Sequence, residues 1–488
     1  MRYVTLFCAL LSAAAATSWD PVVRLTDNDY ADFSYWSCQR RVVVDPLGRV
    51  HAAWHVMDSD LGTYRFQIFY KRYTPGSGWS ADTMLSADLY AENLNSKYVS
   101  LTVDSSGTVY AVWAAGASDD ADEYIQIKSC VPEGSGNGGW QEVSSRLSVT
   151  AADYAKGCPN AAATPDGHVH VTWLEDPPSG GAYIAYRERI DTTWQPMQQL
   201  ETSTNYKAYP ALAGGTDNRL HLIWYGRSGP SGYYNVFYKM RSDTVWSGTE
   251  NVSNGTRHQM YPSVAVNPAT GNPHVLWQCY DAENDRRIVH AWRDAGGWQP
   301  RDTLTEADTL LDQNTGQIAF TPDGRGHALW GGRSPDWPTL DQVRYCERSV
   351  AGVWTAPFNV TDTGGSKERP SVTAGGGSAP NDVHVVWTDY RDGTAEIYYA
   401  RGSPVQGLAE AGRLPGPGRP SVRWVSGVLT LEAGCRSAEL WDANGRCVQR
   451  LHSGPNDVGR LAPGLYFLSE PVSANGGHPS VRKVLVPE

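Results

Sequence analysis

A pentapeptide of the form apolar-His-apolar-x-Trp recurs seven times along this chain, and no other feature restricts its fold as strongly. The copies are VHAAW ending at Trp54, VYAVW at Trp113, VHVTW at Trp173, LHLIW at Trp224, PHVLW at Trp277, GHALW at Trp330 and VHVVW at Trp387, spaced 51 to 60 residues apart. A period of this length marks an array of supersecondary units, each too small to bury its own apolar face. Most copies follow an apolar run and a turn (VVVDPLG, LTVDSSG, VAVNPATG, IAFTPDG), which reads as a β-hairpin. A third strand follows each copy: QIFY, YIQI, YIAY, NVFY, RIVHAW, QVRY and EIYY.

A second Trp series marks a fourth strand at Trp79, Trp140, Trp194, Trp246, Trp298 and Trp354, each 21 to 27 residues after a Trp of the first series. Trp387 has no such successor. The missing copy lies at the other end of the chain, in the segment from Trp19 to Thr26 (WDPVVRLT), 35 residues before Trp54. The spacing predicts an all-β fold: a seven-bladed β-propeller of four-stranded blades, closed by an N-terminal strand that completes the last blade. Both faces of the second strand are apolar (Val385 and Trp387 on one, Val386 on the other), as stacked blades require. Two packed sandwiches would need neither seven equal units nor a displaced strand.

The chain's 488 residues exceed one small domain. With 19 Trp and 26 Tyr it is neither disordered nor a coiled coil. A net charge of −11 argues against a nucleic-acid partner. Residues 1–16 read as a signal peptide: Arg2, the apolar core Val4–Leu11, then Ala14-Ala15-Ala16. No later stretch is long and apolar enough to span a bilayer, so the mature protein is expected to be secreted or held on the outer cell surface. The propeller is expected over 17–403, a Pro/Gly linker over 404–420, and a small C-terminal β-sandwich over 421–488. Past Cys8, the seven cysteines are odd in number and scattered, without a CxxC pair, so they form neither a disulfide scaffold nor a zinc site. Cys435 and Cys447 flank a short hairpin-like segment and are candidates for a disulfide.

The tail resembles the C-terminal sorting domain of the bacterial type IX secretion system. The likeness rests on Leu440-Trp441-Asp442-Ala443-Asn444-Gly445-Arg446-Cys447-Val448, Leu461-Ala462-Pro463-Gly464-Leu465-Tyr466-Phe467 and Lys483-Val484-Leu485-Val486. It implies contact with that secretion machinery, followed by removal of the tail or surface attachment. The propeller resembles the sialidase-like group with Asp-box repeats, through the degenerate boxes Arg241–Trp246 (RSDTVW) and Arg293–Trp298 (RDAGGW). The Phe/Tyr-Arg-Ile-Pro signature of true sialidases is absent, so the resemblance implies fold more than activity.

Six of the seven pentapeptides carry a His (His51, His170, His221, His274, His327, His384), with Tyr110 in the equivalent place. On separate blades these cannot converge on one ion. They read as buried hydrogen-bonding groups that serve each blade, and no metal or cofactor is expected. Function belongs where the repeats differ, on the loops of one face. One loop set precedes the innermost strands and is basic and aromatic: Tyr35-Trp36, Lys97-Tyr98, Tyr154, Tyr206, Tyr209, His258, Tyr261 and Arg369. One aligned position there reads Ser37, Ser96, Lys156, Lys207, Gln259, Gln313 and Lys367, side chains expected to ring the channel mouth and focus anions. The second set joins the second and third strands. It carries Tyr225 and Arg227, Tyr280, Asp281 and Arg286, Arg333 and Trp337, and Asp389, Arg391, Asp392 and Glu396. Arg227, Arg333 and Arg391 are candidates to grip a carboxylate, with Tyr225, Tyr280 and Trp337 to stack on sugar faces. The alternative for the arginines is ion pairing inside each loop. The acidic run Asp119–Glu123 lacks a Gly-centred calcium loop.

These features lead to the expectation of an exported binding module for extracellular glycans or surface proteins. The alternative is a sialidase-like glycoside hydrolase or a polysaccharide lyase acting on an acidic sugar. A hydrolase would need two carboxyl groups facing each other across a cleft, and no spacing singles out a pair among Asp281, Asp389 and Glu396.

Overall fold

The computed structural model describes residues 17–404 except 29, 35–39, 59–64, 118–123, 132–138, 151–153, 179–180, 230–231, 282–284 and 306–310. Beyond these it describes 422–425, 428–431, 437–442, 446–452, 454–457, 461, 464–470 and 480–486. Residues 1–16, the acidic run at 119–123, Tyr35, Trp36, Ser37, Cys435 and residues 405–420 of the linker expected over 404–420 lie outside the described residues.

The chain divides into two units, up to Pro404 and from Val405. The first is built of seven antiparallel sheets, with one short helix, Ala87–Ala91, among the described residues. Each sheet is one repeat, numbered here as blades 1 to 7 from Trp54 to Trp387. In blade 4 the innermost strand Lys207–Gly214 pairs with Leu220–Gly226. That strand pairs with Asn235–Ser242, which carries Val245–Trp246 and Glu250–Asn251 on its outer side. The Asp-box-like segments make the hairpins between third and fourth strands, with Arg241 opposite Trp246 and Arg293 opposite Trp298. The seven innermost strands enclose a channel of about 260 Å³, lined by residues of every blade.

The ring closes as the repeat spacing predicts. Thr17–Trp19 and Val23–Arg24 pair with Glu396–Pro404, placing Val23 opposite Tyr399 and Arg24 opposite Tyr398. A closed ring leaves no long sheet edge for another chain to join. The second unit holds a three-stranded and a four-stranded sheet, the latter pairing Ser437–Asp442 with both Cys447–His452 and Gly464–Glu470.

The repeated side chains form the blade interfaces. All seven inner tryptophans are at most 2% exposed. The repeat histidine bonds through Nδ1 to a tyrosine on the third strand: His51 to Tyr70 (2.7 Å), His170 to Tyr186 (2.8 Å), His221 to Tyr238 (2.7 Å), His327 to Tyr345 (2.8 Å) and His384 to Tyr399 (2.8 Å). In blade 5 His290 replaces the tyrosine and meets His274 at 2.9 Å. Three of these histidines also reach the preceding turn through Nε2, at Asp45, Thr164 and Thr321. Burial holds His170, His327 and His384 at a pKa of about 3, so all three stay neutral at physiological pH. Onto the same tyrosine the outer Trp of the next blade packs edge-on, as Trp246 does on Tyr186 (5.1 Å, 85°) and Trp298 on Tyr238 (5.1 Å, 88°).

Candidate functional site

In blade 4, Lys207, Gly226 and Asn235 lie side by side at one end of the sheet. The loops before the innermost strands and those between second and third strands therefore share a face. There the innermost strands of blades 4 and 5 bulge, between Ala208 and Ala211 and between Met260 and Ser263. Tyr209 and Tyr261 take left-handed backbone at the bulges, with φ of 51° and 53°. A bulge re-aims a side chain, and these two rings meet at 5.3 Å. Tyr225 touches both, stacked on Tyr209 at 5.8 Å and edge-on to Tyr261 at 5.4 Å. Tyr225 is buried, and desolvation drives its phenol far above its ordinary pKa.

The cluster continues outward. Tyr206 lies 5.2 Å from Tyr234, and His258 packs against Tyr234 (4.9 Å), Tyr233 (5.3 Å) and Tyr280 (6.1 Å). Tyr206 and Tyr233 are 47% and 44% exposed and form its open rim. The Arg227 guanidinium lies over the Tyr234 ring at 4.5 Å and donates to its Oη at 3.1 Å. The backbone N–H of Tyr234 donates to His258 Nδ1 at 3.2 Å. That bond fixes the tautomer and leaves the proton on Nε2. Burial and the nearby Arg227 charge both lower the His258 pKa, so the ring is a neutral donor. A cavity of about 220 Å³ opens here, lined by Tyr206, Lys207, Arg227, Glu201 and Asn205 with Trp224 among others. It is below the ~300 Å³ of ordinary ligand sites.

Next to this cluster, blades 5 and 6 carry a polar network. Arg286 forks onto Asp312 (3.1 and 2.7 Å) and also donates to Asn314. Asn314 donates to Asp341 at 2.9 Å, and Arg333 stands 3.7 Å from the same carboxylate. Burial raises the Asp341 pKa, while the Arg286 fork lowers that of Asp312.

The three candidate arginines engage within their own blades: Arg227 with Tyr234, Arg333 with Asp341, and Arg391 with Asp389 at 2.6 Å. For Arg391 the in-loop ion pair is the arrangement found. Blade 6 turns tightly here, with Ser334 opposite Trp337, and the Trp337 indole donates to Asp362 at 2.6 Å. Tyr225, Tyr280 and Arg227 come together in the cluster.

The expected ring of lysines at the channel mouth is corrected by the structure. Lys156, Lys207 and Lys367 are at most 2% exposed, and their ammonium groups cap backbone carbonyls of the preceding loop. Lys156 Nζ donates to Tyr154 O (2.8 Å), and Lys207 Nζ to Asn205 O (2.8 Å), Ala182 O (3.0 Å) and Ser203 O. Lys367 Nζ donates to Thr363, Gly364 and Gly365 O, each at 2.6 Å. Gln259 and Gln313 make the equivalent bond to Arg257 O (3.1 Å) and Leu311 O (3.0 Å), two residues upstream. In blades 3 to 7 the position holds a long donor that reaches back over its own loop, whereas blade 2 has the short Ser96 there.

Sequence reading did not single out Tyr233 and Tyr234, whose signal is the YY doublet in the variable loop of blade 4, nor Asp312, Asn314 and Asp341. The carboxylates it named are all engaged: Asp281 with Arg287 (2.9 Å), Asp389 with Arg391 and the Trp387 indole (2.9 Å), Glu396 with Arg24 (2.8 Å), and Asp392 with the Tyr398 hydroxyl. Among the described residues, no group of three His, Cys, Asp or Glu could hold a metal ion. No helix among them is long and apolar enough to cross a membrane.

No protein-family model matches the sequence, and no curated protein matches it. Solved structures do. The polysaccharide lyase Uly1 is 10% identical with a TM-score of 0.51, over 80% of this chain and 100% of that one. A PL25 ulvan lyase bound to -[GlcA(1-4)Rha3S]- is 10% identical with a TM-score of 0.52, over 75% and 95%. The leech intramolecular trans-sialidase is 11% identical with a TM-score of 0.41, over 80% and 70%. At such identities the first two likenesses are ones of fold, and what this chain shares with those polysaccharide lyases is a β-propeller.

Proposed function

We propose that this chain is an exported carbohydrate-binding propeller that takes an acidic polysaccharide on the tyrosine-rich face of blades 4 and 5. The observation that carries this reading is Arg227, pinned on Tyr234 beside His258 and flanked by the exposed rings of Tyr206 and Tyr233. Phenol rings stack on the C–H faces of sugars, while a held guanidinium and a neutral imidazole N–H suit a carboxylate or sulfate. Hydrolysis is poorly supported, because the named carboxylates on this face are already tied to arginine or tyrosine. The leader at 1–16 and the sorting-domain likeness of the tail support export and display outside the cell.

One observation favours a second reading, a lyase: the Tyr234 phenol receives a hydrogen bond from Arg227 (3.1 Å). Acting as base, the Tyr234 oxygen would take the proton α to a uronate carboxylate. The C–H electron pair would form the new C=C bond as the glycosidic C–O bond breaks, and the same proton would pass from Tyr234 to the leaving oxygen.

The test is a glycan array of uronate- and sulfate-bearing polysaccharides probed with the full chain, beside an ultraviolet assay for the unsaturated product. Retention of an acidic glycan, lost at least tenfold in R227A, is the expected result. Turnover abolished in Y234F would establish the lyase. Indifference to every acidic glycan would overturn both.

A further inference from the structure

Arg40 has unusual surroundings for a guanidinium in this protein. It lies just before the innermost strand of blade 1 (Val42–Val44) and lines the central channel. Its Nη1 reaches across to blade 3, where it donates to Ala161 O at a long 3.4 Å, the one hydrogen bond of its side chain among the described residues. Among the described residues, no carboxylate contacts it. Three other enclosed arginines are neutralised, Arg241 by Glu188 (2.7 Å), Arg286 by Asp312 (2.7 Å) and Arg391 by Asp389 (2.6 Å), while Arg187 is held by three backbone carbonyls, Gln195 O (2.8 Å), Leu147 O (2.9 Å) and Trp194 O (3.3 Å). The contrast extends to titration. Carboxylates raise Arg24, Arg286, Arg391 and Arg401, whereas Arg40, like the carbonyl-held Arg187, is lowered by desolvation alone.

The rest of the channel wall carries no charge: it is lined by Val, Ala, Ile and Phe with the hydroxyls of Thr102 and Thr373. Each innermost strand has a sheet partner on one side only, and its other edge is engaged by the neighbouring blade, where the N–H groups of Leu101, Ala161, Leu212 and Val372 donate to Arg40 O, Ser100 Oγ, Asn160 Oδ1 and Gln317 Oε1. Arg40 is half-buried, and a partly desolvated charge without a partner is costly unless something supplies the opposite sign. Arg40, Thr102 and Thr373 therefore sit in a built space of about 260 Å³ that lacks only the counter-charge.

We infer that the central channel is an anion site, in which Arg40 holds one small monovalent anion, a halide or a simple carboxylate. One guanidinium balances one negative charge. The site uses residues near the far ends of the innermost strands (Val103, Ala163, Gly214, Val266, Phe320, Ala374), away from the tyrosine-rich face. It stands or falls separately from the glycan reading.

The test follows thermal unfolding of the full chain in rising chloride or acetate, with R40M reporting any general salt effect and R40K keeping the charge. The expected result is a saturable rise of about 2 °C or more in the wild type, retained in R40K and absent in R40M. Chloride acting alone identifies a halide, acetate alone a carboxylate. Equal responses in wild type and R40M would overturn the inference. Wild-type crystals soaked in bromide or grown in acetate decide it independently should R40M fail to fold. Density beside Arg40 supports the site, and a channel empty of both means that backbone carbonyls alone satisfy the guanidinium.

Discussion

Trp19 packs edge-on against Tyr345, with ring centroids 5.2 Å apart and planes at 85°. The same relation recurs around the ring, from Trp140 on Tyr70 to Trp354 on His290 and Trp79 on Tyr399. In those pairs the tryptophan comes later in the chain than its partner's blade, or wraps from blade 1 onto blade 7. Trp19 alone comes from the amino-terminal closing strand, so this contact fastens that strand, within blade 7, to Tyr345 of blade 6. Thr17 reinforces it, donating to Glu347 at 2.6 Å and lying 3.0 Å from the Tyr345 hydroxyl.

Trp19→Ala is therefore expected to weaken closure as well as packing. A buried Trp→Ala change costs about 3–5 kcal/mol, and Trp19 is partly buried, so a loss of about 2 kcal/mol is expected in urea unfolding. Trp19→Phe keeps an aromatic edge and should recover part of it. A Trp19→Ala protein with the wild-type midpoint would show that the strand pairs of 17–24 close the ring unaided.

Lys367 makes a second prediction. Its ammonium holds three loop carbonyls and stands 3.9 Å from Asp389, while burial pulls its pKa down to about 8. Lys367→Met strands all three carbonyls and should cost about 3 kcal/mol or more. Lys367→Gln should cost clearly less, because Gln259 and Gln313 bond the carbonyl two residues upstream in blades 5 and 6. Equal losses in both variants would mean that the charge beside Asp389, not the carbonyl cap, matters at this position.

The repeat spacing made the ring and its closure legible, because a displaced strand leaves a gap in one series and a surplus in the other. The lysine ring was misread for a physical reason. Lysines are rarely buried, and the sequence does not display the loop carbonyls that make burial of Lys156, Lys207 and Lys367 tolerable. The tyrosine that bonds each histidine was visible only as strand core in QIFY, YIAY or NVFY. His221 sits opposite Met240, and it meets Tyr238 only on the diagonal. The three arginines share an offset from their tryptophans, yet their loops differ: Arg227 finds a phenol, Arg333 a cross-hairpin aspartate, and Arg391 an aspartate two residues back. In the candidate site, Tyr225, Arg227 and Tyr280 stood out as variable loop positions. Tyr206, Tyr209, His258 and Tyr261 stood out in the basic and aromatic loop set, but the bulges that bring Tyr209 and Tyr261 together are not announced by residue types.

Tyr234→Phe offers a narrow probe of that cluster. It removes one hydroxyl, keeps the ring beneath Arg227 and leaves the Tyr234 N–H bond to His258 intact. A hydrogen bond to a charged donor contributes about 1.5–3 kcal/mol, less at this half-buried position. If the bond serves to hold Arg227 for an acidic glycan, affinity should fall several-fold while the melting temperature moves little. A large loss of stability with unchanged affinity would assign the pair to the scaffold.

Asp32 sets a pH dependence at the closure. It is fully buried, accepts from the Trp54 indole (2.6 Å) and Asn28 (2.9 Å), and lies near the equally buried Glu396. Burial, with the Glu396 charge, lifts its pKa to about 7. The folded value exceeds the unfolded one, so the folded state holds the proton more tightly. The resulting stabilisation is complete below about pH 4 and is lost as pH rises through about 7. The buried histidines act oppositely. Their folded values lie below the unfolded one, so stability falls as pH drops from about 6.5 towards 3. The Asp32 contribution is isolated by comparing wild type with Asp32→Asn. The stability difference between them should move against the wild type by a few kcal/mol between pH 4 and 8. A difference independent of pH would mean that Asp32 is ionised throughout, with Asn28 and the Trp54 indole holding its charge beside Glu396.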